Sequence, residues 1–324
     1  MKRPYLIILL VIILINFFLP RLMPGNPFTT EALDDSFLGA SYAPEQIEKY
    51  KAYYGMDQPL PVQLISYFGK ILMLDLGYSL RFNQDVAELI VIRLPWTLGI
   101  VAISLLISTV FGVALGAFSA LHNHKRIDGA LYAGMVVFSE IPSFLIGIFL
   151  LFVFGAGLSW FPLAGASTPF ARYDAPTAQV LDILHHAALP IITLALAQIG
   201  GYYLLARSSM LTVLGKDYIR TARGKGVGEW RVLFQHALKN AMPPIISKLF
   251  MSLGIMLGGA ILVENVFNYP GIGRLMREAV VARDYVLIQG IFLCLAIAIL
   301  ILSFLADLAY LRLDPRLREK GSHA

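Results

Sequence analysis

Six times along the chain, mainly apolar runs of about 20 residues replace the usual mixture of polar and apolar positions, long enough to cross a hydrocarbon layer roughly 30 Å thick. They extend from Tyr5 to Leu22, Trp96 to Leu121, Ala130 to Ala156, Ala187 to Ala206, Ile245 to Val263 and Tyr285 to Leu311. Backbone in lipid has no water to bond, so a spanning run must close its own hydrogen bonds as a helix. The pattern predicts an all-α integral membrane protein with six transmembrane helices. The first run follows Lys2 and Arg3, as a secretory signal would, but "FFLPRLMPGNP" offers no small-x-small cleavage site. It is expected to be retained.

Orientation comes from the basic residues of the intervening segments, because Lys and Arg concentrate in cytoplasmic loops. Fifteen fall in the N-terminus, the second loop, the fourth loop and the tail, against nine in the odd-numbered loops. Both termini are therefore expected in the cytoplasm. Arg21 and Lys248 stand at span ends, where long side chains can snorkel to the interface. A mean hydropathy of +0.70 with 57% hydrophobic residues places the chain outside the soluble class. The net charge of +5 is accounted for by this sorting and calls for no nucleic acid. Cys294 is the single cysteine, which excludes an internal disulfide.

The spans divide the chain into a first helix (1–23), an external segment (24–95), a five-helix core (96–311) and an inner tail (312–324). In the external segment "APEQIEKYKAYYG" and "PLPVQLISYFGKILMLDLG" have helical apolar spacing between Pro and Gly stops, which predicts a small helical cap. Charge and periodicity leave two roles open for it, a solvated connector or a docking surface for an external partner. The inner loop 207–244 holds seven of the basic residues, with Gly215, Gly224, Gly226 and Gly228 as breaks and Pro243–Pro244 before the next span. It reads as short helix, turn, helix. A headgroup anchor would account for the charge. It would not require two glycines two apart, or the small Thr221 and Ala222, which suggest close approach of a neighbouring surface.

The residues Tyr218, Arg220, Thr221, Ala222, Lys225 and Gly226, followed by His236, Ala237, Leu238, Asn240 and Ala241, resemble the cytoplasmic "EAA" loop of ABC importer permeases, in the form used by the peptide and nickel branch. The similarity covers nearly the whole chain: "RLMPGNP", "DLGYSL", "RLPWTL", "IPSF", "RSSML", "VENVFNYPGIGRL", "RDYVLIQG" and "LDPRLR" occur in the branch's order. The long first outer loop resembles that of the first of two permease subunits. The resemblance implies a type I importer permease fold in a prokaryotic cell membrane. It also implies a homologous second permease, two ATPase subunits or domains, and an external solute-binding protein. The stretch Tyr218, Ile219, Arg220, Thr221, Ala222, Arg223, Lys225 and Gly226 would be the coupling segment seated in the ATPase. Arg220 stands where the wider consensus has Glu, so acceptors are expected on the ATPase opposite it. The implied cargo is peptide, with oligosaccharides and metal chelates as the branch's alternatives.

The chain is not expected to be an enzyme. It lacks a G-x-x-x-x-G-K-S/T phosphate loop, so ATP and Mg would be used by the partner ATPases, and no cofactor is expected on this chain. "GLSW" at Gly157–Trp160 matches part of an intramembrane serine protease signature, but no later span carries a histidine base. A secondary carrier would show internal repeats and paired intramembrane charges, neither of which is evident. Asp182, His185 and His186 could ligate a metal, although adjacent histidines at a span's edge are more often interfacial, and no metal site is expected. Gly112 with Gly116, and Gly254 with Gly258, have small-xxx-small spacing for close helix packing. Glu140, with Pro142 and Ser143, is a candidate for the translocation pathway, the alternative being a protonated or hydrogen-bonded Glu140 that fixes helix packing. In a straight helix Glu140 would lie about 15 Å deep, and Pro142 would free the carbonyl of Phe138.

Overall fold

The computed structural model describes residues 2–22, 58–79 and 81–313. Residues 23–57, which hold the first half of the external segment, and the tail beyond 313 lie outside the described residues. The helices are α1 (Lys2–Leu22), α2 (Leu60–Leu72), α3 (Val86–Leu121), α4 (Arg126–Ser139), α5 (Ser143–Gly157), α6 (Pro176–Leu214), α7 (Asp217–Gly224), α8 (Glu229–Val266), α9 (Ile272–Val281) and α10 (Tyr285–Leu313). A two-stranded antiparallel ribbon, β1 (Tyr78–Ser79) and β2 (Gln84–Asp85), precedes α3. Among the described residues four helices, α3, α6, α8 and α10, have the length and apolarity to cross a membrane. A fifth span exists only if α4 and α5 are taken together, and the described apolar stretch of α1 is Ile7–Phe18.

The expected third span is not one straight helix. It breaks between Ser139 and Ser143, and α4 and α5 meet at 97°. Pro142 has no N–H for the carbonyl of Phe138, which instead accepts from Ile141 in a tight turn at 3.3 Å. The Pro142 carbonyl then opens α5 by accepting from Leu145 and Ile146. In α3 and α8 prolines do not end the helix: Pro95 lies inside α3, and Pro243 and Pro244 inside α8. The helices therefore reach far into segments expected to be loops. What remains between α6 and α8 is only 215–228.

The chain forms two compact units. One comprises residues 1–95 and 271–300, and in it two separate sequence motifs meet. Asp284 of "RDYVLIQG" caps α10 by accepting from Leu287 N at 3.1 Å and receives the Ser79 hydroxyl of "DLGYSL" at 2.6 Å. Asn16 of α1 and Gln289 of α10 exchange side-chain to backbone hydrogen bonds at 2.9 and 3.0 Å, satisfying polar groups among apolar surroundings.

The second unit, residues 96–270 with the end of α10, is organised around α6. Glycines set how closely its neighbours approach. A methyl at Gly112 would lie 2.6 Å from Tyr202 Cβ, and one at Gly116 would lie 2.6 Å from the Tyr203 carbonyl oxygen and 2.8 Å from Ala206 Cβ. The expected close packing at this pair is present, backbone against backbone. At Gly258 a methyl would meet nothing within 4 Å, so this chain uses no close approach there. On another side of α6, Gly200 seats the end of α4, with Ser139 Cβ 2.8 Å from the added methyl.

Candidate functional site

An eight-residue helix cannot hold itself together in water, and α7 is held by what it covers. Ile219, fully buried, inserts among Ala117 and Ala120 of α3, Met210 and Val213 of α6, and Val232, Ala237 and Ala241 of α8. Burial of such a side chain is worth about 1.5–3 kcal/mol. Ala222 and Val227 pack at the edge of the same cluster. Two further devices fix the turn that follows. Gly226 takes φ +73°, a region that L side chains rarely adopt, and Val227 N donates to the Ala222 carbonyl. Arg223 grips Glu229 of α8 with both ends of its guanidinium, at 2.9 and 3.0 Å.

The eight residues expected to couple to an ATPase therefore divide by face. Tyr218, Arg220, Thr221, Arg223, Lys225 and Gly226 are exposed; Ile219 and Ala222 turn toward the chain's own core. The close approach inferred from glycine spacing has no counterpart within the chain, because a methyl at Gly224, Gly226 or Gly228 would meet nothing within 4 Å. Among the described residues Arg220 has only Asp217, 3.9 Å away and itself exposed, so its guanidinium is open to another acceptor. Sequence reading passed over Trp230 and Phe234, one turn apart in α8, whose rings stack at 5.7 Å while Trp230 remains 74% exposed. Their i, i+4 spacing was the available signal.

A buried polar junction lies behind α7. Arg207 of α6 forks onto Asp128 of α4 at 2.7 and 2.6 Å, the Ser119 hydroxyl of α3 donates to Asp128, and Tyr203 shares a hydrogen bond with Ser119. The Arg207 guanidinium also sits 5.0 Å from the Tyr132 ring centre. The charge pair ties α4 to α6 and the Ser119 hydroxyl adds α3, so two of the helices that bear on α7 are joined here. By sequence Arg207 counted only toward orientation and Asp128 was not singled out, since partners 79 positions apart have no local signature.

Glu140 caps the end of α4 at the bend, exposed in this chain, with Pro142 exposed and Ser143 half-buried beside it. The depth expected for a straight helix is superseded by the 97° bend. Among the described residues no cation lies within ion-pair reach of Glu140. Lys248 departs from expectation too. It stands about 28 Å along α8 from Glu229, and its ammonium lies 5.2 Å from the Tyr202 ring centre rather than at a helix end.

His186 Nδ1 lies 3.5 Å from the Asp182 carboxylate, whose shorter contacts are made elsewhere. Both Asp182 carboxylate oxygens accept hydrogen bonds from the loop before α6, from Thr168 N and Oγ1 at 2.7 Å and from Tyr173 at 2.6 Å. That hydrogen bond also pushes the Tyr173 hydroxyl above its ordinary pKa. His185 and His186 meet the carbonyls of Trp160 and Asp182, respectively. The cluster ties a loop to α6.

The fold and site define a helical membrane protein with a short basic helix packed between two long apolar ones, and comparison with known proteins supplies the family. Residues 112–319 match the binding-protein-dependent transport system inner membrane component family, and residues 3–101 match that system's N-terminal membrane component. The chain belongs to this family. The oligopeptide transport system permease protein AppB of Bacillus subtilis is 34% identical over 311 residues, 96% of this chain and 95% of its own. A chain of Brucella suis biovar 1, provisionally named a peptide permease, is 37% identical over 313 residues, with the same coverage. Among solved structures, an inward-facing MetNI methionine ABC transporter chain aligns with a TM-score of 0.58 at 14% identity, covering 70% of this chain and 97% of that one. An amino acid ABC transporter aligns at 0.52 with 15% identity, over 70% of this chain and 94% of its own. These two establish the likeness of fold.

Proposed function

We propose that this chain is a six-span permease subunit of an ATP-driven importer of peptides in a prokaryotic cell membrane, with both termini in the cytoplasm. Its partners are a homologous second permease, two ATPase subunits or domains that bind and hydrolyse ATP with Mg, and an external solute-binding protein. The observation that carries this reading is the division of α7 into an anchored and an open face. Force applied by an ATPase to Tyr218, Arg220, Thr221, Arg223 and Lys225 passes through Ile219 into the adjoining ends of α3, α6 and α8. A rigid plug in a close-packed cluster transmits displacement rather than absorbing it. The names of the Bacillus and Brucella relatives support peptide as the cargo.

Arg220→Glu tests the open face without disturbing the buried one. Reversing a charge that meets acceptors should weaken association of the ATPase about tenfold or more and reduce ATP-driven uptake, with detergent stability of the permease unchanged. Wild-type uptake and ATPase association in this variant would remove Arg220 from the interface.

The bend supplies the pathway in this reading. Glu140 is a carboxylate with no ion-pair partner among the described residues, at the break of a helical layer, where lipid exposure is costly and a water-lined path is not. Glu140→Gln keeps the shape and neutral hydrogen bonding while removing the charge. The expected result is normal assembly with uptake altered only for positively charged cargo. Equal effects on cationic and neutral cargo would assign Glu140 to packing.

A further inference from the structure

Lys248 is a charged group to which the coupling segment gives no task. Its ammonium occupies the space left by the missing side chain of Gly201, where an added methyl would stand 2.7 Å from Nζ, and it faces the Tyr202 ring. Among the described residues no carboxylate is within ion-pair reach. The side chain is half-buried, so it is partly removed from water yet reachable. An ammonium held among helices without a counter-ion is costly, and contact with one aromatic ring offsets only part of that cost.

The position of Lys248 against α6 gives the missing anion a source. Gly200 and Gly201 are consecutive and point about 100° apart around the helix. Gly200 seats Ser139, which is followed by the exposed Glu140; Gly201 seats Lys248. One cation and one anion, each without an ion-pair partner among the described residues, thus flank one level of α6. A peptide carries the complementary pair, an ammonium at one end and a carboxylate at the other.

We propose that Lys248 contacts the cargo in transit and receives a carboxylate, the C-terminal carboxylate in the case of a peptide; this rests on the peptide-importer reading above. Lysine suits passage better than storage. It is a compact charge on a flexible stem, able to engage a carboxylate from many directions and release it, whereas an arginine fork would favour a fixed bidentate geometry.

The test uses the complete transporter with its ATPases and binding protein in proteoliposomes. Two probes are supplied at concentrations that saturate the binding protein: a peptide with a free C-terminal carboxylate, and the same peptide as its C-terminal amide. Lys248→Met is expected to slow uptake of the acid about tenfold or more and leave the amide at the wild-type rate. Lys248→Arg should restore most of the acid's uptake. Equal slowing of both peptides overturns the proposal and assigns Lys248 to packing or to a carboxylate of the partner permease; slowing of neither overturns it as well. If the wild-type transporter carries neither peptide, the proposal falls together with the peptide reading, which the wild-type arm alone reveals. Should Lys248→Met fail to assemble, Lys248→Gln carries the same comparison.

Discussion

Gly116→Leu is expected to stop the chain from accumulating as a folded membrane protein. At Gly116 even a methyl would come within 2.6 Å of the Tyr203 carbonyl oxygen, 2.8 Å of Ala206 Cβ and 2.9 Å of Arg207 N. Two of those atoms are backbone and the third is a side chain's first carbon, so no rotamer change relieves the contact. α3 and α6 would have to separate, and neighbouring Gly112, equally close to Tyr202 and Ile199, would lose its packing with them. Forcing one or two methylenes into a tight core costs about 1–3 kcal/mol where side chains can shift, and here they cannot. Membrane yield and thermal unfolding in detergent measure the effect. Gly258→Leu is the control, since a methyl there meets nothing within 4 Å and the chain alone should tolerate it. Equal stability of Gly116→Leu and wild type would mean that α3 and α6 do not pack as described.

Arg207→Met should be the most damaging polar substitution in the second unit. Asp128 is 4% exposed and receives both ends of the guanidinium, so methionine fills much of the volume but strands a buried carboxylate. Breaking such a pair by removing one partner typically costs about 3–5 kcal/mol, most of it the penalty of the charge left behind. That mechanism makes a second, opposite prediction. Adding Asp128→Asn to Arg207→Met should recover most of the loss, because the amide is neutral and can still bond Ser119. The thermal midpoints of the two single variants and the double variant, in detergent, form the cycle that measures the coupling. Strictly additive losses would show that Asp128 and Arg207 act independently. The junction also bears on coupling: Ser119 and Arg207 adjoin the residues that cradle Ile219, so a destabilised junction should lower uptake more than ATPase association.

How much of this was legible beforehand follows from the range over which each feature is encoded. Hydropathy is a property of the residues themselves, so the apolar runs from Trp96, Ala187, Ile245 and Tyr285 were readable, and each lies within a helix long enough to cross a membrane. A short helix and turn in the basic loop followed from helix formers, Gly224 and Gly226, and α7 ends there with Gly226 at positive φ. Helix ends at prolines were misjudged. Pro95, Pro243 and Pro244 lie inside helices because the packing of a long apolar segment outweighs one missing hydrogen bond, whereas at Pro142 the chain breaks and turns through 97°. The same residue type gave opposite outcomes, and only the surroundings separate them.

The sequence by itself determined that the chain is a helical membrane protein, where its main apolar helices run and which inner segment forms a short basic helix and turn. Each of these depends on transfer free energies and backbone preferences that a residue carries wherever it sits. Only the tertiary structure decided that Ile219 faces inward while Arg220 faces out, that Asp128 meets Arg207, and that Lys248 lies in the gap at Gly201. Those pairings join positions tens of residues apart, and their energies exist only once the helices are packed. In an apolar layer every helix face is nearly equivalent to lipid, so the choice of facing surface is made by shape and by the few polar groups that must find one another.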